Sequence, residues 1–120
     1  MEPAIGEGSW VISLRSGFRR RVPVRFDVVR LENPRITGHW IVKRIVGLPG
    51  EEVALRAGEL FVNDQPIVDP FACCPEVATD NFEWWPSDDE YVVLGDNRAA
   101  STDARQFGLV KRSSFRGRIR

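Results

Sequence analysis

The chain has 120 residues, 42% of them hydrophobic, which suffices for one compact core over residues 1–120 and falls short of what two domains need. Its 17 Lys+Arg balance 17 Asp+Glu, so no global basic field exists to draw nucleic acid or anionic lipid. No run reaches the ~20 apolar residues that cross a bilayer, and the N-terminus lacks the basic-then-apolar pattern of a secretory signal, so the chain as written is expected to be soluble.

Short β-type runs separated by turn residues dominate, and the expectation is an all-β, mostly antiparallel domain with little helix. Residues 10–14 alternate, with Trp10, Ile12 and Leu14 on one face, as in a half-buried strand. A polar hairpin region at 15–21 includes Arg19, Arg20 and Arg21, which read as a solvated face, with phosphate contact as the sharper alternative. A strand over 27–31 follows, then a loop at 32–38 with the turn initiator Asn33-Pro34. The longest strand, 39–48, ends at Pro49-Gly50, and further strands are expected at 52–56, 60–63, 91–94, 109–111 and 115–119. Between them, 68–89 breaks into Pro, Cys, Asp and aromatic residues and reads as an irregular loop excursion, which in a compact domain is more often functional than idle. It holds the adjacent Cys73 and Cys74. A vicinal disulfide is strained and rare, so these read as loop thiols, with a redox or intermolecular site as the alternative. The basic tail of Lys111, Arg112, Arg116, Arg118 and Arg120 again reads first as a solvated face.

In the 39–48 strand, period-2 geometry puts Lys43 on the same face as Ile41 and Ile45, while Val42, Arg44 and Val46 take the other. A lysine between two β-branched apolar neighbours is a candidate for burial. That matters because an ordinary lysine, with a pKa near ~10.4, is protonated at neutral pH, and desolvation can make it a usable base. A lysine snorkelling at a strand edge is the plain alternative. The segment Gly95-Asp96-Asn97-Arg98 has the composition of a tight turn, and Ser101 by itself is an ordinary loop hydroxyl.

Taken together, Val42-Lys43-Arg44-Ile45-Val46-Gly47-Leu48-Pro49-Gly50 and Leu94-Gly95-Asp96-Asn97-Arg98, running on through Ser101, Asp103 and Arg105 to Phe107-Gly108, resemble the lysine and Gly-Asp-Asn-Arg boxes of the type I signal peptidases. These are Ser/Lys-dyad proteases that remove secretory signal peptides. Met1-Glu2-Pro3 resembles the family's Ser-Met-x-Pro nucleophile box entered one residue late, as in a catalytic domain truncated just after its nucleophilic serine. The resemblance implies a β-barrel-like fold, Lys43 as general base and Ser101 as the residue that orients it. It also implies structural support from Asp96, Arg98 and an Asp103–Arg105 ion pair on an extended segment, with Arg44 as a structural neighbour of the base. Substrate would add as a strand beside the lysine strand, with shallow pockets walled by Met1, Pro3, Ile5, Ile41 and Val42. Partners would be signal-peptide-bearing preproteins and a membrane reached through an upstream anchor, with an extracytoplasmic site; no metal, cofactor or nucleic acid is expected.

Departures are small: Gly8-Ser9 stands where the family commonly has Gly-Asp, and Phe26-Asp27-Val28-Val29 where it often has Gly-Asp-Val-Val. The nucleophile's expected place is directly before Met1, so the chain as given is expected to be inactive. Two other readings stay open. One is a noncatalytic peptide-binding barrel; the other is an autocleaving Ser/Lys repressor-type domain, which would need a DNA-binding helix-turn-helix that this sequence does not contain.

Overall fold

A computed structural model describes residues 22–73 and 81–119. Its strands are β1 (Val28–Glu32), β2 (Trp40–Gly47), β3 (Val53–Arg56), β4 (Glu59–Val62), β5 (Gln65–Pro66), β6 (Phe82–Trp84), β7 (Glu90–Leu94), β8 (Val110–Lys111) and β9 (Phe115–Ile119), with one short helix, α1 (Ala104–Phe107), before β8. All strand pairings among these elements are antiparallel. The fold is nearly all-β, as the strand-and-turn pattern predicts. The strand expected at 10–14 and the hairpin region at 15–21 lie outside the described residues. No helix among the described residues is long and apolar enough to cross a membrane.

One sheet has the order β8-β7-β2-β1-β9, the other β5-β4-β3-β6. In the first, the edge strands β8 and β9 are joined by the single 3-10 turn Arg112–Ser114. Flat, five strands would hold their edges about 19 Å apart, whereas so short a link spans roughly 13 Å at most. The sheet therefore curls into a nearly closed, barrel-like form. Its inner face encloses Val29, Leu31, Ile45, Tyr91, Val93, Val110 and Phe115. The outer face at β2 and β7 packs against the second sheet through Val46, Val92 and Leu94, which meet Val53, Leu55, Leu60 and Trp84. Thus β7 is buried on both sides, and Tyr91-Val92-Val93-Leu94 is an unbroken apolar run rather than an alternating one.

Tight turns connect the second sheet. Ala57 (φ 50) and Gly58 (φ 84) join β3 to β4, and Asn63 (φ 51) and Asp64 (φ 65) join β4 to β5. Both pairs have the positive φ values of a type I′ turn, whose twist matches that of the strands. Asn and Asp tolerate this backbone; alanine does so at a cost of roughly 1–2 kcal/mol. Glycine's extra freedom in the unfolded chain offsets part of that, so Ala57→Gly is expected to stabilise the fold by ~0.5 kcal/mol. The readout is a higher urea midpoint at unchanged slope.

Within the expected 68–89 excursion the structure shows β6, which pairs with β3 through Trp84 opposite Val53 and Phe82 opposite Leu55. The Phe82 and Trp84 rings, on one face of β6, stack 5.8 Å apart and pack with the core between the sheets.

Candidate active site

The site grows from β2. Lys43 lies opposite Val29 of β1, and its neighbours on the same face, Ile41 and Ile45, pack into or against the barrel core. A flexible lysine stem thereby enters an apolar wall, and the amine emerges where the chain after β7 passes. There Lys43 Nζ donates to Ser101 Oγ at 3.0 Å. The Ser101 hydroxyl spends its one hydrogen on Asp103 Oδ2, also at 3.0 Å. Its oxygen must therefore accept from the lysine, which directs an N–H of the amine toward Ser101 and leaves the lone pair of a neutral amine turned elsewhere. Burial is the main influence on Lys43, and it lowers the pKa; Asp103 and Asp96 pull upward, Arg105 downward, and the net result is below the ordinary lysine value. An amine so shifted is a proton acceptor at lower pH than a surface lysine.

Asp103 is fully buried. Its carboxylate accepts from Gly95 N at 3.0 Å and from Arg105 N, Nε and Nη2 at 3.1, 2.9 and 2.9 Å. Burial alone would raise its pKa, but the bonds from the Arg105 side chain, Gly95 and the Arg105 backbone outweigh that and hold the carboxyl below the usual range. The ion pair is present, but the segment is not extended as the sequence reading expects. Asp103 itself is extended (φ −151, ψ −153) and caps α1, in which Gln106 returns a bond to the Asp103 N–H at 2.8 Å. Asp103-Ala104-Arg105-Gln106 is thus a capping box, and its spacing is visible in the sequence.

The other expected supports also pair. Arg44 and Asp96 form a two-pronged salt bridge with both bonds at 2.9 Å, and Arg44 is only 3% exposed. Arg98 Nε donates to Gly95 O at 2.9 Å, and its Nη2 meets Asp69 Oδ2 at 2.5 Å. Asp69 is not among the residues expected from sequence, nor is Phe71, whose ring lies 3.7 Å from the Arg44 guanidinium carbon. Of the expected substrate walls, Ile41 packs against the barrel core, and Val42 lies opposite Arg30 on the other face of β2. Met1, Pro3 and Ile5 lie outside the described residues.

Gly95 has a role that composition hides. A Cβ built on it would overlap Ser101 Oγ and come within 3.4 Å of Lys43 Nζ. Gly95→Ala is expected to push Ser101 off the lysine and to cost roughly 1–3 kcal/mol by overpacking. A thermal melt reads the cost, and a crystal structure of the variant reads the Lys43–Ser101 distance, which should exceed hydrogen-bond length.

With that geometry in place, comparison with known proteins is informative. The signal peptidase, peptidase S26 family matches over residues 1–120. Relatives include the "Probable signal peptidase I-2" of Synechocystis sp., 33% identical with 98% of this chain and 56% of that protein aligned, and the signal peptidase I of Leptolyngbya laminosa, 34% identical over 77% of this chain and 44% of that protein. The chain thus spans about half the length of these relatives. A crystal structure of a signal peptidase I from Enterococcus faecalis is 32% identical and superposes with a TM-score of 0.71, covering 83% of this chain and 98% of that one. With its barrel-like sheet, its two sequence boxes and these matches, the chain belongs to the signal peptidase family, peptidase S26.

Proposed function

We propose that this chain carries the general-base half of a Ser/Lys signal peptidase site. Lys43 is the base, Ser101 orients its amine, and Asp103 with Arg105, Asp96 with Arg44, and Arg98 hold the loop beneath them. The observation that carries this reading is the 3.0 Å contact of a pKa-lowered Lys43 amine with Ser101. The nucleophile is a serine directly before Met1. Its hydroxyl proton passes to Nζ as its oxygen bonds to the scissile carbonyl carbon, and the ammonium then returns that proton to the leaving amine as the C–N bond breaks. Water attacks the resulting ester as Lys43 takes its proton, and the ammonium then returns that proton to the serine oxygen as the acyl–oxygen bond breaks and the carboxyl product leaves.

The substrates are preproteins whose extended signal-peptide ends lie as an added strand beside β2, with small side chains seated against Ile41, Val42, Met1, Pro3 and Ile5. A membrane anchor ahead of the serine holds the site on the extracytoplasmic side of a membrane. No metal, cofactor or nucleic acid takes part.

The test compares two polypeptides on a reporter with an Ala-x-Ala cleavage site. The one beginning at Met1 should leave the reporter intact, and the one extended by a preceding serine and its upstream segment should cut it. Cleavage by the first would locate the nucleophile elsewhere. Binding without cleavage by the second would favour a noncatalytic peptide-binding barrel.

A further inference from the structure

Residues 69–73, between β5 and the segment before β6, touch the turn at 95–98 in two ways and reach it in a third through Arg44. The Asp69 carboxylate meets Arg98 Nη2 at 2.5 Å, with side chains only 6% and 7% exposed. The Phe71 ring covers the guanidinium of Arg44, the partner of Asp96. The Cys73 backbone forms a parallel bridge with Asn97, with Cys73 N donating to Asp96 O at 2.8 Å and Arg98 N donating to Cys73 O at 3.1 Å. Two of these contacts fall on the turn itself, at Asp96, Asn97 and Arg98, and the third falls on Arg44, the ion partner of Asp96.

That turn presses directly on the lysine. Arg98, gripped by Asp69, donates to Gly95 O, and Gly95 lies so close to the pair that a Cβ on it would overlap Ser101 Oγ and come within 3.4 Å of Lys43 Nζ. The carbonyl of Arg98 accepts from Arg105 Nη1 at 2.9 Å, and Arg105 in turn holds Asp103, the partner of Ser101. Behind residues 69–73 the packing is open. A cavity of about 260 Å³, lined by Leu60, Ile67, Asp69, Ala72 and Arg98 among others, lies against them. Polar bonds and the contacts of the Phe71 ring with Arg44 and Phe26 hold this stretch.

We propose that residues 69–73 are a strap that holds the 95–101 turn against Lys43, with Asp69 and Phe71 as positioning residues for the base. This rests on the reading of Lys43 as a base. Releasing the strap lets the turn retreat and water reach the amine, so the desolvation that lowers the Lys43 pKa weakens and its titration midpoint rises.

The sequence offers a clean readout, because Lys43 and Lys111 are its only lysines. With 13C-labelled lysine, the two side-chain Cε signals can be followed against pH in one sample, and Lys43→Arg identifies which belongs to Lys43. In the unaltered chain the Lys43 midpoint should lie below the ordinary lysine value of ~10.4. In Asp69→Asn and in Phe71→Leu it should move up toward that value, and Asp69→Glu, which keeps a carboxylate, should retain more of the depression than Asp69→Asn. A purely structural strap would lower the melting temperature without moving this midpoint. If Lys43 is depressed in the parent and stays equally depressed in folded Asp69→Asn and Phe71→Leu, the strap is refuted and the base reading stands. If Lys43 titrates at the ordinary lysine value in the parent, the base reading itself fails and the strap with it. Should Asp69→Asn not fold, Phe71→Leu decides alone by the same two outcomes, since that ring is 37% exposed.

Discussion

Lys43→Ala, introduced into a chain that carries a serine directly before Met1, is expected to reduce signal-peptide cleavage by at least ~10²–10⁴-fold, the usual contribution of a positioned general base. Larger losses are consistent, since a nucleophile and its base act as a unit and removing either can disable both. The loss should fall on kcat rather than KM, because the peptide contacts assigned to Ile41 and Val42 are untouched. A pH dependence accompanies it. Lys43 works only as the neutral amine, so activity should rise with pH through its lowered pKa and flatten above it. Full activity of Lys43→Ala would mean that another group takes the serine's proton.

The largest effect on stability is expected from Asp103→Ala. The change removes the acceptor of five hydrogen bonds, from Gly95, Ser101 and three groups of Arg105, and opens the capping box of α1. It also takes the carboxylate from the Nε and Nη2 groups of an Arg105 whose side chain is 2% exposed, while Nη1 still donates to Arg98 O. Breaking a buried pair in this way costs ~3–5 kcal/mol, which for a chain of this size is a fall in Tm of roughly 10–20 °C. The sign with pH follows from the depressed carboxyl. The folded state favours the carboxylate more than the unfolded state does, so this contribution is complete above the unfolded aspartate value of ~3.9 and is lost as pH falls through the folded one. The Tm gap between the parent chain and Asp103→Ala should therefore be widest near neutrality and shrink in acid. An unchanged Tm at pH 7 would show that the pair contributes nothing to the fold.

What the sequence makes legible depends on whether the signal is local. β2 and β7 are readable because four or more consecutive residues carry apolar or alternating patterns, and the face shared by Ile41, Lys43 and Ile45 follows from strand period alone. β5 and β6 escape because two or three residues are too few to carry a period, and they pair with β4 and β3. α1 is one turn long, too short for a helical stripe; its start is announced solely by the Asp103-to-Gln106 capping spacing. The clamp of Asp69 on Arg98 joins residues 29 positions apart, and no local pattern foretells which of many aspartates meets which arginine. Gly95 illustrates a different limit. Its composition suggests a turn, whereas the structure shows the need for empty space beside Ser101 and Lys43.

The central claim, that Lys43 is a base rather than a snorkelling surface lysine, is tested most directly by its titration midpoint. Lys43 is half-buried beside the barrel core. The account predicts that Lys43 loses its proton at a pH distinctly below the ordinary lysine value of ~10.4 and that the midpoint rises toward that value in Ser101→Ala, which removes the acceptor beside the amine and leaves room for water. A Lys43 that titrates at the ordinary value would contradict it and would reduce this protein to the family's barrel without the family's base.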